Sequence, residues 1–258
     1  FNDAEPNEKL SQGSSVFDPV LCEAIYSWFS APGATVIDPF AGGSVRGIVA
    51  AMLERPYTGI ELSTSQVAAN KEQLPIVKSC VAQPLWYEGD SADIENILPD
   101  GAMYDFLFSC PPYADLEVYS DDPRDISNMV YPDFLTAYRK IISDSVARLK
   151  QDRFACFVVG EVRDRDGNYR NLVGDTISAF IDAGCKYYNE AILVTSVGSL
   201  PIRAGRQFAS GRKLGKTHQN ILIFVKGDSK RATAAAGDVV IADPAEMFGE
   251  VTNEPTSD

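Results

Sequence analysis

The residues with the most chemical potential fall in a few short stretches. Asp38-Pro39-Phe40-Ala41-Gly42-Gly43-Ser44 follows an apolar run, Thr35 to Ile37, and precedes the helical pattern Ile48-Val49-Ala50-Ala51-Met52-Leu53. A strand, a glycine turn and a helix start make a corner that can hold a nucleotide. Glycine lets the backbone approach a ligand closely, and the first turn of a helix offers unpaired N–H groups. Glu61 ends the next apolar run, 23 positions after Asp38. A carboxylate there can accept from both hydroxyls of a ribose; the alternative is a solvated strand end. Asp90 stands in Gly89-Asp90-Ser91, where it either accepts from an adenine amine or simply makes a turn. Ser109-Cys110-Pro111-Pro112-Tyr113 closes a later apolar run. Two prolines cannot continue a central strand, and they stiffen the chain beyond it. They fix the carbonyls of Cys110 and Pro111, which can accept from a substrate amine. Tyr113 can stack on a planar ring drawn out of a helix stack, or cap the sheet as a core tyrosine.

These stretches require strands that end side by side. The pattern predicts strands at 35–37, 57–62, around 86–87, 104–109, 154–162, 187–195 and 219–225. Helices are expected between them. One follows Asp18-Pro19, a capping residue and a first-turn proline, with Val20, Leu21, Ala24, Ile25, Trp28 and Phe29 at helical spacing. Others are read at 65–73, 132–150 and 173–183, the last ending on Gly184. Strands alternating with helices imply an α/β, doubly wound, mostly parallel seven-stranded sheet. The apolar 104–109 run belongs at its centre. No helical pattern separates the last two strands, so they are expected to pair antiparallel at one edge.

The chain has 258 residues and a formal net charge of −13, enough length for one large α/β domain. The acidic balance argues against nucleic-acid binding over the whole surface. The charge is uneven, however: Arg203, Arg206, Arg212, Lys213 and Lys216 lie between Leu200 and His218 with no acidic residue among them. With Gly205, Gly211 and Gly215 interspersed, this island reads as a loop that orders on the phosphates of a duplex, the alternative being a solvated loop. Cys22, Cys80, Cys110, Cys156 and Cys185 have no paired spacing and are read as reduced thiols of a cytoplasmic protein. The only histidine, His218, has no cysteine near it, so no metal site is expected. No apolar run reaches the length of a membrane span, and no signal-peptide pattern opens the chain. It begins on Phe1, and residues are expected to precede it.

Asp38-Pro39-Phe40-Ala41-Gly42 together with Pro111-Pro112-Tyr113 resembles the DNA amino-methyltransferases, in an order found in phage-encoded methylases. The resemblance covers most of 15–226 and includes the final Gln219–Lys226 run. It implies a Rossmann-like class I methyltransferase fold and S-adenosylmethionine as cofactor. The reaction implied is methylation of the exocyclic amine of a flipped cytosine or adenine in double-stranded DNA. Cofactor contacts are implied for Phe17 and Asp18 at the methionine end, for Asp38 through Ser44, and for Glu61, Leu62, Asp90, Ser91 and Ser109; Cys110, Pro111, Pro112 and Tyr113 form the catalytic turn. The domain is expected over 16–227, with a basic DNA-contact insert at about 197–218, a loose arm over 1–15 and a peripheral tail over 228–258.

The chain departs from the family in having Gly43-Ser44 where the closing pair is usually reversed or changed, and Cys110 where Asp, Asn or Ser is usual. A thiol is a weak acceptor. Cys110 therefore stands in for Ser beside main-chain carbonyls, or acts as a nucleophile in carbon-5 pyrimidine chemistry, or marks a lost or different activity. Methylation of RNA, protein or a small amine, and an inactive DNA-binding module, stay open on sequence alone. Glu161 and Arg163 can shape a target pocket or form a structural ion pair.

Overall fold

A computed structural model describes residues 16–114, 119–198 and 200–239. The expected arm over 1–15 lies outside the described residues, as do 115–118, 199 and 240–258. Asp18 accepts from the N–H groups of Val20 and Leu21 and so caps helix α1, Pro19–Phe29. Then come β1 (Val36–Asp38), α2 (Val45–Met52), β2 (Tyr57–Glu61), α3 (Thr64–Glu72) and β3 (Leu85–Glu88). The second half contains α4 (Ile94–Ile97), β4 (Tyr104–Ser109), α5 (Tyr131–Ala147), β5 (Leu149–Val159), α6 (Leu172–Asp182), β6 (Lys186–Val194), α7 (Leu200–Gly211), β7 (His218–Lys226) and α8 (Ser229–Ala236).

The seven strands form one sheet in the order β3-β2-β1-β4-β5-β7-β6. β1 through β5 pair in parallel, and β7 runs antiparallel between β5 and β6. The expected mostly parallel sheet with an antiparallel pair at one edge is therefore present. Alternation within the strands feeds two cores. Leu107, Ala155, Phe157, Val159, Leu222 and Phe224 face α5 and α6. Phe106, Phe108, Cys156, Val158, Ile221 and Ile223 face α1, α2 and α8. A strand buried on both faces reads as a continuous apolar run, which is why the periodicity of 104–109 looked featureless.

Three expectations are corrected. The fifth strand starts at Leu149 and stops at Val159, so Gly160, Glu161 and Val162 lie beyond it. The basic island is not a loop over its whole length: 200–211 is helical, so a helix does separate the last two strands, which nevertheless pair antiparallel as expected. Gly205 and Gly211, two of the glycines that suggested a loop, stand in a helix with no buried residue, and Gly215 follows it. The expected peripheral tail starts as α8, with Ala232 and Ala236 buried against β5 and α1. Its small side chains allow close packing, and Asp228 caps it through the Arg231 N–H. None of the five cysteines is in a disulfide. Burial pushes the Cys22 thiol up to about 12 and that of Cys185 to about 11, so both are inert. Among the described residues no helix is long and apolar enough to cross a membrane.

At the end of the sheet opposite the strand ends discussed below, Asp105 ties β4 to the start of β1. It accepts from the N–H and hydroxyl of Thr35, from Lys150 and from Arg153 at 2.9–3.1 Å. Burial alone would raise its pKa. The bonds from Lys150, Thr35 and Arg153 outweigh burial and hold it at about 2. A carboxyl depressed in the folded state contributes stability above its unfolded pKa of about 3.9 and loses it as pH falls toward the folded value. Asp105→Asn is therefore expected to destabilise the protein by about 1 kcal/mol at pH 7, allowing for solvent screening. In urea melts the gap to wild type should close between pH ~4 and ~2; a constant gap would show that Asp105 acts by packing alone.

Candidate active site

β1 and β4 lie side by side at the point where the strand order reverses, and open α/β sheets leave a crevice at the carboxyl ends of such strands. Asp38 ends β1 and is fully buried. Its Oδ1 accepts from Ser109 Oγ at 2.5 Å and from the Phe40 N–H at 3.1 Å. Its Oδ2 accepts from Arg46 Nε at 2.6 Å and from Tyr57 Oη at 2.7 Å. A carboxylate has about four acceptor positions, and all are used within the chain. Asp38 therefore shapes the corner and leaves ligand contact to its neighbours. Ser109 is equally enclosed: besides donating to Asp38, its Oγ accepts from the Phe40 N–H at 3.2 Å. The Asp38–Ser44 stretch and the Ser109–Tyr113 stretch are thus stitched together at their roots.

Arg46 is the residue that motif reading missed. It is buried, it donates to the carbonyls of Phe40 and Ala41 at 2.6 and 3.0 Å, and its guanidinium sits 4.7 Å from the centre of the Phe17 ring. Burial works against its charge, but Asp38 overrides this and holds it firmly protonated. Phe17 also packs edge-on against Phe108 of β4. The segment before α1 is thereby fixed next to the corner. The only signal in sequence was an Arg in the first turn of an otherwise apolar helix.

Gly42 adopts φ +51°, the left-handed conformation that glycine takes without strain, and Gly43 is exposed with open space around its Cα. Ser44 stands at the start of α2 without a side-chain cap bond, so the helix start keeps unpaired N–H groups. Ala41 is buried and donates from its N–H to Ile60. The Phe40 ring packs against Phe157 and Tyr138. Asn70 of α3, another residue not foreseen, donates to the Gly42 carbonyl at 2.7 Å and accepts from Gln66. Gly47 lets α2 lie directly on Trp86 and Tyr57, where a Cβ would collide with the Trp86 ring.

Glu61, at the end of β2, accepts from the Gly42 N–H at 2.9 Å and the Ser63 N–H at 2.8 Å. Each oxygen keeps a lone pair for a further donor. Burial raises its pKa in spite of those bonds. Leu62 follows it, half-buried. Asp90 accepts from the Ala92 N–H, the turn role weighed for it, and remains half-buried. Ser91 is buried and donates to the Pro39 carbonyl at 2.5 Å. The segment 119–128 is knitted by Asp125, which is buried and accepts from Ser127 and Ser120.

Beyond β4, Pro111 is buried while Cys110, Pro112 and Tyr113 are half-buried. Tyr113 turns inward: its ring lies against Gly160, its hydroxyl donates to the Val158 carbonyl at 3.4 Å, and it stands 3.7 Å from Cys110 Sγ. Burial pushes its hydroxyl far above the ordinary tyrosine range. In this conformation Tyr113 caps the sheet. Glu161 caps α6 by accepting from Leu172 and Val173 N–H groups, and Arg163 stacks over Tyr169 and donates to the Gly167 carbonyl. Of the basic island, Arg203 and Arg206 are exposed on α7, Arg212 stacks on Phe208, Lys213 lies across Gly167, and Lys216 reaches Asn220 at 3.5 Å. His218 is exposed at the start of β7. Among the described residues no group of His, Cys, Asp and Glu is placed to hold a metal ion.

No protein-family model matches the sequence, and no curated protein matches it. The fold is similar to that of solved methyltransferases. TrmN from Thermus thermophilus matches with TM-score 0.52 at 14% identity, over 81% of this chain and 48% of that one. Magnesium protoporphyrin IX methyltransferase from Synechocystis PCC 6803, solved with bound SAM, matches with TM-score 0.53 at 15% identity, over 81% and 79%. A methyltransferase from Pyrococcus furiosus matches with TM-score 0.50 at 14% identity, over 81% and 83%. The chain spans about half the length of TrmN. The architecture is the Rossmann-like class I methyltransferase fold.

Removing one partner of a buried ion pair leaves the other charge uncompensated. Arg46→Met should destabilise the protein by about 3–5 kcal/mol, and Tyr57→Phe by about 1.5–3 kcal/mol. The double variant should lose less than the sum, since both act on Asp38. Strict additivity in chemical denaturation would contradict a shared network.

Proposed function

We propose that the protein transfers a methyl group from S-adenosylmethionine to the exocyclic amine of a cytosine or adenine flipped out of duplex DNA. The observation that carries this reading is the hydrogen bond between Asp38 and Ser109. It joins a glycine corner suited to a nucleoside cofactor to a Pro-Pro turn suited to an amine, at the switch point of a methyltransferase fold.

The corner fits the cofactor. Gly42 and Gly43 leave room for close backbone approach, and the uncapped start of α2 favours a carboxylate. Glu61 has lone pairs for two ribose hydroxyls, and Asp90, beside it on the rim, suits an adenine amine. When bound, the cofactor supplies an electrophilic methyl on sulfur. The chain's own work is positioning. The carbonyls of Cys110 and Pro111 accept the hydrogens of the target amine, which turns the nitrogen lone pair outward. Pro111 and Pro112 hold those carbonyls still. Cys110 serves as a small neighbour in place of Ser. Tyr113 faces the base after swinging out from Gly160, a side-chain rotation that gives up its bond to Val158, its contact with Cys110 and its packing against the core. The acid-free basic island supports a polyanionic substrate in a chain that is otherwise acidic.

Tritiated methyl transfer to duplex DNA, followed by nucleoside analysis, is expected to give an N-methylated cytosine or adenine. Label only in RNA or protein would overturn the proposal, and label on cytosine carbon-5 would reassign Cys110 as a nucleophile. Glu61→Gln should weaken cofactor binding roughly 10–100-fold, the range for hydrogen bonds to a charged group. Because burial raises the Glu61 pKa, wild-type affinity should fall at a higher pH than an ordinary glutamate would dictate. The sign is opposite for stability: a raised carboxyl stabilises the fold below its unfolded pKa and loses this as pH rises through the folded value. Calorimetry from pH 8 to pH 4 checks the first, and an affinity that is flat over that range would remove Glu61 from the cofactor contacts.

A further inference from the structure

α7 is anomalous in this fold. None of its residues is buried, although an isolated helix of twelve residues is marginal in water without a packed face. It is held at its ends. Thr195 donates to the Thr217 carbonyl at its base, Leu200 packs over Gly215, and Lys213 lies across Gly167. Its base rises from the carboxyl end of β6 and the start of β7. That is the sheet edge where Val159 of β5 pairs with Asn220, one residue before Gly160 and the Tyr113 ring. The helix therefore stands beside the catalytic turn with its outer side uncovered.

That outer side has a specific composition. Arg203 and Arg206, one turn apart, are exposed with Ile202, which is 85% exposed. Gly205, Ala209 and Ser210 between and beyond them are small and exposed. No acidic residue occurs from 200 to 218 in a chain of net charge −13. Small residues permit close approach of the helix, the arginines offer planar forks of donors, and Ile202 offers an apolar tip.

Resting on the methyl-transfer reading above, we propose that α7 enters the major groove of B-form DNA next to the flipped base, with Arg203 and Arg206 reading base edges and Ile202 touching a thymine methyl. Lys213 and Arg212, beyond the helix end, lie at the phosphates. The major groove of B-DNA is about 12 Å wide and admits a helix; the major groove of A-form RNA is too deep and narrow for side chains to read. A helix with exposed paired arginines thus favours DNA over RNA. Arginine binds the O6 and N7 of guanine in bidentate fashion, so the preferred site contains guanines beside the methylated base.

The test uses the full chain, S-adenosylmethionine and a duplex library with every neighbour of a central target base randomised, read by position-resolved methylation. Wild type is expected to prefer a defined guanine-containing sequence. Arg203→Ala and Arg206→Ala should each lower kcat/KM on that sequence about 10–100-fold and spread methylation to sequences changed at one base pair. Cofactor binding by both variants should match wild type, which confirms that they fold. Lys213→Ala should weaken all sequences alike and reduce the salt dependence of binding by about one ion. If the arginine variants also weaken all sequences alike, α7 holds phosphates only and the inference fails while methyl transfer to DNA stands. If wild type binds the cofactor but labels RNA and not duplex DNA, the functional reading fails and this inference fails with it.

Discussion

The structure depends on one buried carboxylate. Asp38 carries a negative charge into a place without water, and such a charge is tolerable only where donors surround it. Those donors come from its own turn (Phe40), from α2 (Arg46), from β2 (Tyr57) and from β4 (Ser109). Satisfying one group thus requires four parts of the chain to arrive together. The consequence reaches the site directly, because Ser109 immediately precedes the Cys110-Pro111-Pro112-Tyr113 turn and Phe40 immediately precedes the glycine corner. A shift of either stretch would leave a buried donor or acceptor unpaired.

Around that centre the corner is held from both sides. Arg46 binds the carbonyls of Phe40 and Ala41 from within, and Asn70 binds the Gly42 carbonyl from α3. Glu61 grips the Gly42 N–H while keeping lone pairs for a ligand. The glycine turn is therefore flexible in composition but fixed in place, which is what close approach to a ligand requires. Phe17 over Arg46 extends the same network to the segment before α1.

Much of this architecture was legible in residue pattern. Continuous apolar runs marked the doubly buried strands and Asp18-Pro19 marked a helix start; the antiparallel edge was expected because no helix was read before 219–225, yet α7 stands there and β6 and β7 still pair antiparallel. The basic island and the tail were misread for related reasons. Glycines in 205–215 suggested a loop, yet 200–211 is helical although none of its residues is buried. The alanines of 232–236 suggested a loose tail, yet small side chains are what allow α8 to lie close on β5. In the tail, close packing of small side chains, which periodicity does not show, decided the outcome.

Sequence by itself determined the chemistry on offer: a glycine corner with an acid at the following strand end, a Pro-Pro-Tyr turn after a buried strand, and a basic island in an acidic chain. These depend on local residue type and spacing, and local rules suffice to read them. Only the tertiary structure decided which side chains face a ligand and which serve the fold. Asp38 and Ser109, expected beside a cofactor, are consumed in holding two turns together. Tyr113 lies against Gly160, and Arg46 and Asn70 emerge as the residues that position the corner. The roles of Asp38, Ser109 and Asn70 depend on hydrogen-bond partners 19 to 71 positions apart in the chain, and that of Arg46 on partners that only a turned chain brings back to it. No local pattern encodes such partners, because burial makes each polar group depend on donors and acceptors that arrive from other elements.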